Sequence, residues 1–114
     1  MALVDQLLST AYEDTQLLKR NDELGDDFSV PREVDFVFLS GERKNAEVLA
    51  SFVGDNQYGK ASIEQSKEGF RVVVSVTMPT NQQVLCSVSA LMVCLAQLFS
   101  LEYDGWGCVI QRRT

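Results

Sequence analysis

Apolar residues along this chain fall on two different periods. Between residues 2 and 20, Leu3, Val4, Leu7, Leu8, Ala11, Tyr12 and Leu18 recur every 3.6 residues, and Asp5, Gln6, Ser9, Glu13, Asp14 and Gln16 fill the opposite arc. That spacing predicts an amphipathic helix. Its end is expected near Asn21, where a polar linker runs to Asp27 with Gly25 as a stop signal. After Pro31 the pattern changes. From Val34 to Leu39, Phe36 and Phe38 point to one side of a strand and Val37 and Leu39 to the other. A strand apolar on both faces belongs in the middle of a sheet, covered on both sides.

A second helix is predicted over residues 42–55, capped by Ser40, with Ala46, Leu49, Phe52 and Val53 facing inward. Lys60 to Ser66 alternates like an edge strand, with Ala61 and Ile63 inward. A turn at Lys67-Glu68-Gly69 leads into Phe70 to Thr77, the most β-branched stretch and so a central strand. Pro79 stops it. Thr80-Asn81-Gln82-Gln83 then reads as a capping box for a helix running to about Leu101. Val84, Leu85, Val88, Leu91, Met92, Leu95, Leu98 and Phe99 give that helix a broad apolar face, so it is expected to be the most buried. Its leftover apolar surface is the alternative place for an interface. Trp106 to Gln111 is predicted as a last strand, and Arg112-Arg113-Thr114 as a charged end.

A lone helix followed by β-α-β-β-α-β predicts an α+β fold of ferredoxin-like type, an antiparallel sheet with two helices on one face. The expected organisation is one domain over residues 1–114: a helix at 1–20, an acidic linker at 21–33 and a core at 34–111. The sheet's second face would be open, and the N-terminal helix is expected to lay its Leu/Val stripe against it. A stripe left uncovered would instead mark a dimer or partner interface.

Charge narrows the functional classes. The net charge is −6 over 114 residues. Residues 1–33 hold eight acids against three bases, and the rest of the chain is nearly balanced. Such a domain repels phosphate backbones, so direct nucleic-acid binding is disfavoured and a basic protein partner favoured. The candidate contact residues are Glu13, Asp14, Asp22, Glu23, Asp26 and Asp27. The other reading of the linker acids is a solvated loop. Gly69-Phe70-Arg71 begins like the aromatic strand of an RNA-recognition motif, but valines occupy the later stacking positions.

Three cysteines and no histidine fit neither a disulfide framework nor a structural zinc site. No nucleophile, phosphate-loop, dinucleotide or metalloprotease motif occurs, so neither an enzyme nor a cofactor is expected. The start, Met1-Ala2-Leu3-Val4-Asp5, lacks the basic region of a signal peptide, and the purely apolar runs are short. A cytoplasmic protein, monomer or weak homodimer, is expected.

The most distinctive stretch is Glu102-Tyr103-Asp104-Gly105-Trp106-Gly107, which contains the only Trp. Gly105 is expected to take the left-handed position that ends the long helix, with Trp106 filling the gap before the final strand. Together with the helix before it, this stretch resembles the ribonuclease E inhibitor family, the regulator of ribonuclease activity B. Cys108 stands where that family usually has Thr, and the chain ends at Arg112-Arg113-Thr114 where the family commonly has an acidic tail. The resemblance implies a ferredoxin-like sandwich with an acid-rich N-terminal helix. It also implies a non-catalytic bacterial protein that binds the scaffold region of ribonuclease E and alters which transcripts are cleaved. The alternative is a divergent member that binds a small ligand or associates with itself.

Overall fold

The computed structural model describes residues 2–113, which leaves Met1 and Thr114 of the expected domain and charged end outside the described residues. Seven elements follow in order: α1 (Leu3–Glu23), β1 (Arg32–Ser40), α2 (Arg43–Asp55), β2 (Lys60–Ser66), β3 (Gly69–Met78), α3 (Gln82–Phe99) and β4 (Glu102–Cys108). The strands form one antiparallel sheet in the order β2-β3-β1-β4. This is an α+β fold in which the two most apolar strands, β1 and β3, are central, as their composition predicts.

One face of the sheet carries the core. Val34, Phe36 and Phe38 of β1 and Val72, Val74 and Met78 of β3 are buried against Ala46, Leu49 and Val53 of α2 and Leu85, Met92, Leu95 and Ala96 of α3. The two phenylalanines two residues apart both point inward because side chains alternate along a strand. α3 has no charged residue over its whole length, which makes it apolar enough by composition to be weighed as a membrane span. In the fold one of its sides lies in the core and α1 packs along another.

Two expectations about α1 are corrected. The helix continues three residues beyond residue 20, to Glu23. It also lies beside α3, not on the sheet's open face. Thr15 accepts a hydrogen bond from Gln82 near the start of α3, and Gln6 faces Gln97 near its end, so the two helices run antiparallel. The physical reason is where apolar surface is available. α3 is apolar nearly all round, whereas the open face of the sheet mixes Val37, Leu39 and Val73 with Glu33, Asp35, Glu64 and Arg71. Burial against α3 removes more apolar area from water. Part of the α1 stripe nevertheless stays uncovered: Val4, Leu8 and Tyr12 are 64–67% exposed.

The helix caps also differ from expectation. Asn81, not Thr80, is the N-cap residue of α3, and no side chain caps it. Thr80 is buried, and its N–H donates to the Phe28 carbonyl. Ser40 makes a local turn with Glu42 and leaves Glu42 as the N-cap residue of α2.

The largest correction concerns the C-terminal motif. α3 stops at Phe99, and Ser100 takes the left-handed conformation (φ 62°, ψ 42°) expected of Gly105. Residues 102–108 are themselves the last strand, so β4 starts four residues earlier than predicted. Along β1, Phe36 pairs with Trp106 and Phe38 with Tyr103, so three steps on β4 oppose two on β1. The extra residue is a β-bulge, and Gly105 supplies the positive φ of 91° near it. Residues 103 and 106 would point to opposite faces of a regular strand. The bulge resets the alternation and turns both Tyr103 and Trp106 toward the core.

Candidate functional site

Tyr103 and Trp106, brought to one face by the bulge, reach toward α1. The Trp106 indole N–H donates to Asp14 Oδ1 at 2.9 Å. Tyr103 Oη shares a 2.8 Å hydrogen bond with Ser89 Oγ of α3, and its ring packs on Phe38 at 5.5 Å between centroids. Asp14 and Ser89 are both buried. Trp106 therefore ties β4 to α1, which is a different job from filling the gap after α3.

The electrostatics of this cluster follow from burial. Loss of solvent raises the Asp14 pKa, the Ser89 hydroxyl and the Trp106 N–H oppose the shift, and neighbouring Glu13 adds to it. Burial likewise pushes the Tyr103 phenol well above its ordinary range, so it stays protonated and can donate. Asp14 Oδ2 has no hydrogen-bond partner. Ser89 is fully enclosed, which removes it as a nucleophile for any substrate arriving from solvent.

Above this cluster a groove opens between α1 and the α3–β4 corner. Its wider part, about 510 Å³, is bounded by Gln6, Ser9, Thr10 and Glu13 on one side and by Ala96, Gln97, Glu102 and Tyr103 on the other. A smaller pocket of about 140 Å³ adjoins it, sharing Thr10, Glu13 and Tyr103 and adding Asp14, Asp104 and Gly105. Four carboxylates line the two, with no lysine or arginine among the lining residues. Among the described residues no group of three or more Asp, Glu, Cys or His side chains is arranged to hold a metal ion.

The linker acids have a different fate. Asp26 is fully buried and paired with Arg32 at 2.6 Å. Arg32 also donates to the carbonyls of Asp27, Val30 and Val109, and the Gln111 N–H donates to Asp26 Oδ1. Arg113 bonds the Asp22 carboxylate and the Asp26 carbonyl, and Arg112 bonds the Leu24 carbonyl. Asp27 accepts from the hydroxyl and N–H of Ser29, which lowers its pKa. Of the six acids singled out in the sequence, Asp14 and Asp26 are interior and Asp22 is paired, whereas Glu13 and Glu23 are exposed without an ion pair.

The structure thus splits that set in two. Glu13 and Asp14 join the motif residues Glu102, Tyr103, Asp104, Gly105 and Trp106 around one groove, whereas Asp22, Asp26 and Asp27 lie near Arg113 and Glu23 is exposed at the end of α1. The bond of Ser89 to Tyr103 and the role of Arg32 in holding Asp26 are not legible in the sequence. Arg32 carried one available signal, a lone base between the acidic linker and the apolar residues of the first strand.

A comparison with protein-family models matches residues 11–108 to the regulator of ribonuclease activity B. The chain belongs to that family. Membership of the regulator of ribonuclease activity B family suggests a role in regulating ribonuclease activity. The matched span begins inside α1 and closes with β4, so it contains Glu13, Asp14 and the α3–β4 wall of the groove but not Gln6, Ser9 or Thr10. A search for individual curated relatives found no match.

Proposed function

We propose that this protein is a non-catalytic regulator that binds ribonuclease E in the bacterial cytoplasm, through the enzyme's scaffold region, and inhibits or redirects its cleavage of transcripts. The observation that carries the reading is the family match over residues 11–108. The charge distribution supports it, because exposed Glu13, Glu23, Glu102 and Asp104, with Asp22 and Asp27 at the linker, give a basic segment an attractive surface. Asp14 and Asp26 serve that surface indirectly by fixing the backbone on which it stands.

The test is co-purification with full-length ribonuclease E and with its catalytic half alone. Capture of the full-length enzyme but not the catalytic half is expected, and it should weaken as salt rises. Equal capture of the catalytic half would overturn the scaffold assignment, and no capture of either would overturn the partner. A second reading, self-association, is favoured by the uncovered Val4, Leu8 and Tyr12 of α1 and by Leu98 of α3, which is 73% exposed. The open, carboxylate-lined groove argues against the small-ligand alternative, which calls for an enclosed apolar pocket.

A further inference from the structure

We propose that the groove between α1 and the start of β4 receives an arginine side chain from an extended basic segment of a partner protein. This rests on the regulatory reading above and adds where the contact is made and by what chemistry.

Two independent features lead there. The first is uncompensated charge. Every linker acid that is buried or bonded has its donor within the chain, whether Arg32, Arg113 or Ser29. Among the described residues Glu13, Glu102 and Asp104 have no ion-pair partner, and no base lines the groove they share. Three exposed like charges held around one concavity repel one another, and an entering cation relieves that repulsion. The second is Asp14. It is only 5% exposed and lines the inner pocket, yet its Oδ2 makes no hydrogen bond. That oxygen is closed to solvent, so a cation in the pocket acts on Asp14 by charge and not by a direct hydrogen bond.

The shape and chemistry select the kind of cation. The inner pocket of about 140 Å³ has room for a few waters at roughly 30 Å³ each, or for one planar head group. A guanidinium carries five N–H donors in a fixed fork, enough to serve the exposed Glu13 and Asp104 together, and it stacks on aromatic rings such as Tyr103. An ammonium is more strongly hydrated and gives up more to enter. A divalent metal would need a ligand cluster that the described residues do not form. The wider 510 Å³ part, walled by Gln6, Thr10, Gln97 and Glu102, leaves room for the peptide on either side of the arginine.

The test titrates the full chain with hexa-arginine and with hexa-lysine at about 150 mM salt, by calorimetry and by the emission of Trp106. That residue is the only Trp, and its N–H is bonded to Asp14 beside the inner pocket. Hexa-arginine is expected to bind one to one and to shift the emission. Glu13→Gln with Asp104→Asn should weaken it by about tenfold, and Asp22→Asn with Glu23→Gln by less than about twofold. All four residues are exposed, and unchanged melting curves would verify that each variant is folded. Equal losses from the two double variants, or no binding of hexa-arginine, would overturn the groove. Equal binding of hexa-lysine would overturn the arginine assignment. Capture of ribonuclease E separates the two readings. If Glu13→Gln/Asp104→Asn captures it as well as the parent does, the groove fails and the regulator stands. If the parent binds hexa-arginine in the groove but captures no ribonuclease E, the reverse holds.

Discussion

Asp14 sits where its own charge is disfavoured, and that gives its contribution a definite pH dependence. Burial raises its pKa from the ordinary 3.8, against the pull of Ser89 and Trp106. Below 3.8 the carboxyl is protonated in both folded and unfolded chains, and the group carries no penalty. As pH rises through the raised folded value, the unfolded chain releases the proton more readily, so the stability linked to that proton is lost. Asp14→Asn keeps an oxygen to accept the Trp106 N–H and has no charge to bury. It should match or exceed the parent's stability at pH 7 and lose that advantage below 3.8 in urea unfolding at a series of pH values. An advantage that persisted unchanged at low pH would mean that Asp14 is not the titrating group.

At the scale of an element, β4 shows how one backbone position decides what a strand can do. Gly105 at φ 91° lies where the pairing with β1 slips by one residue, and the slip lets Tyr103 and Trp106 share a face. A Cβ at Gly105 would meet nothing within 4 Å, so Gly105→Ala tests backbone strain alone. It should cost about 1–2 kcal/mol in chemical denaturation. Gly107→Ala, also in open space but without a positive φ, should stay within about 0.5 kcal/mol. Similar costs at both sites would show that the bulge is not what the glycine serves. The same element explains why the motif was misplaced in the sequence. Aromatics at an odd spacing with two intervening polar or small residues show no period of two, and only the register against Phe36 and Phe38 reveals the reset.

For the whole molecule, the Asp26–Arg32 pair joins segments far apart in sequence. Arg32 opens β1, Asp26 lies in the linker, and through them the chain around Val109 and Gln111 is held against the end of α1. Arg32→Leu would leave Asp26 wholly buried and without its ion-pair partner, at a cost of about 3–5 kcal/mol. Arg71→Leu, which removes an exposed partner of Glu64, should cost less than about 1 kcal/mol. Denaturant melts of the two variants measure the contrast, and equal costs would deny the buried pair its special position. The folded chain also sets the linker acids apart from one another. Charge is visible residue by residue, but the pairing of Asp26 with Arg32 and of Asp22 with Arg113 exists only in the folded chain.

What the sequence determined by itself was everything governed by neighbours along the chain. The 3.6-residue period of α1 and α3, the inward and outward alternation of β1 and the β-branched run of β3 set the elements and their order, because those patterns depend on local geometry. The Glu102–Gly107 stretch pointed to the family for the same reason. Tertiary structure alone decided which apolar surface α1 covers, which acids are neutralised and which remain free, and that Glu13 and Asp14 meet Glu102 and Asp104 across a groove. Those outcomes depend on competition among surfaces and on pairs of residues some ninety positions apart, such as Asp14 and Trp106, and no local pattern encodes that competition.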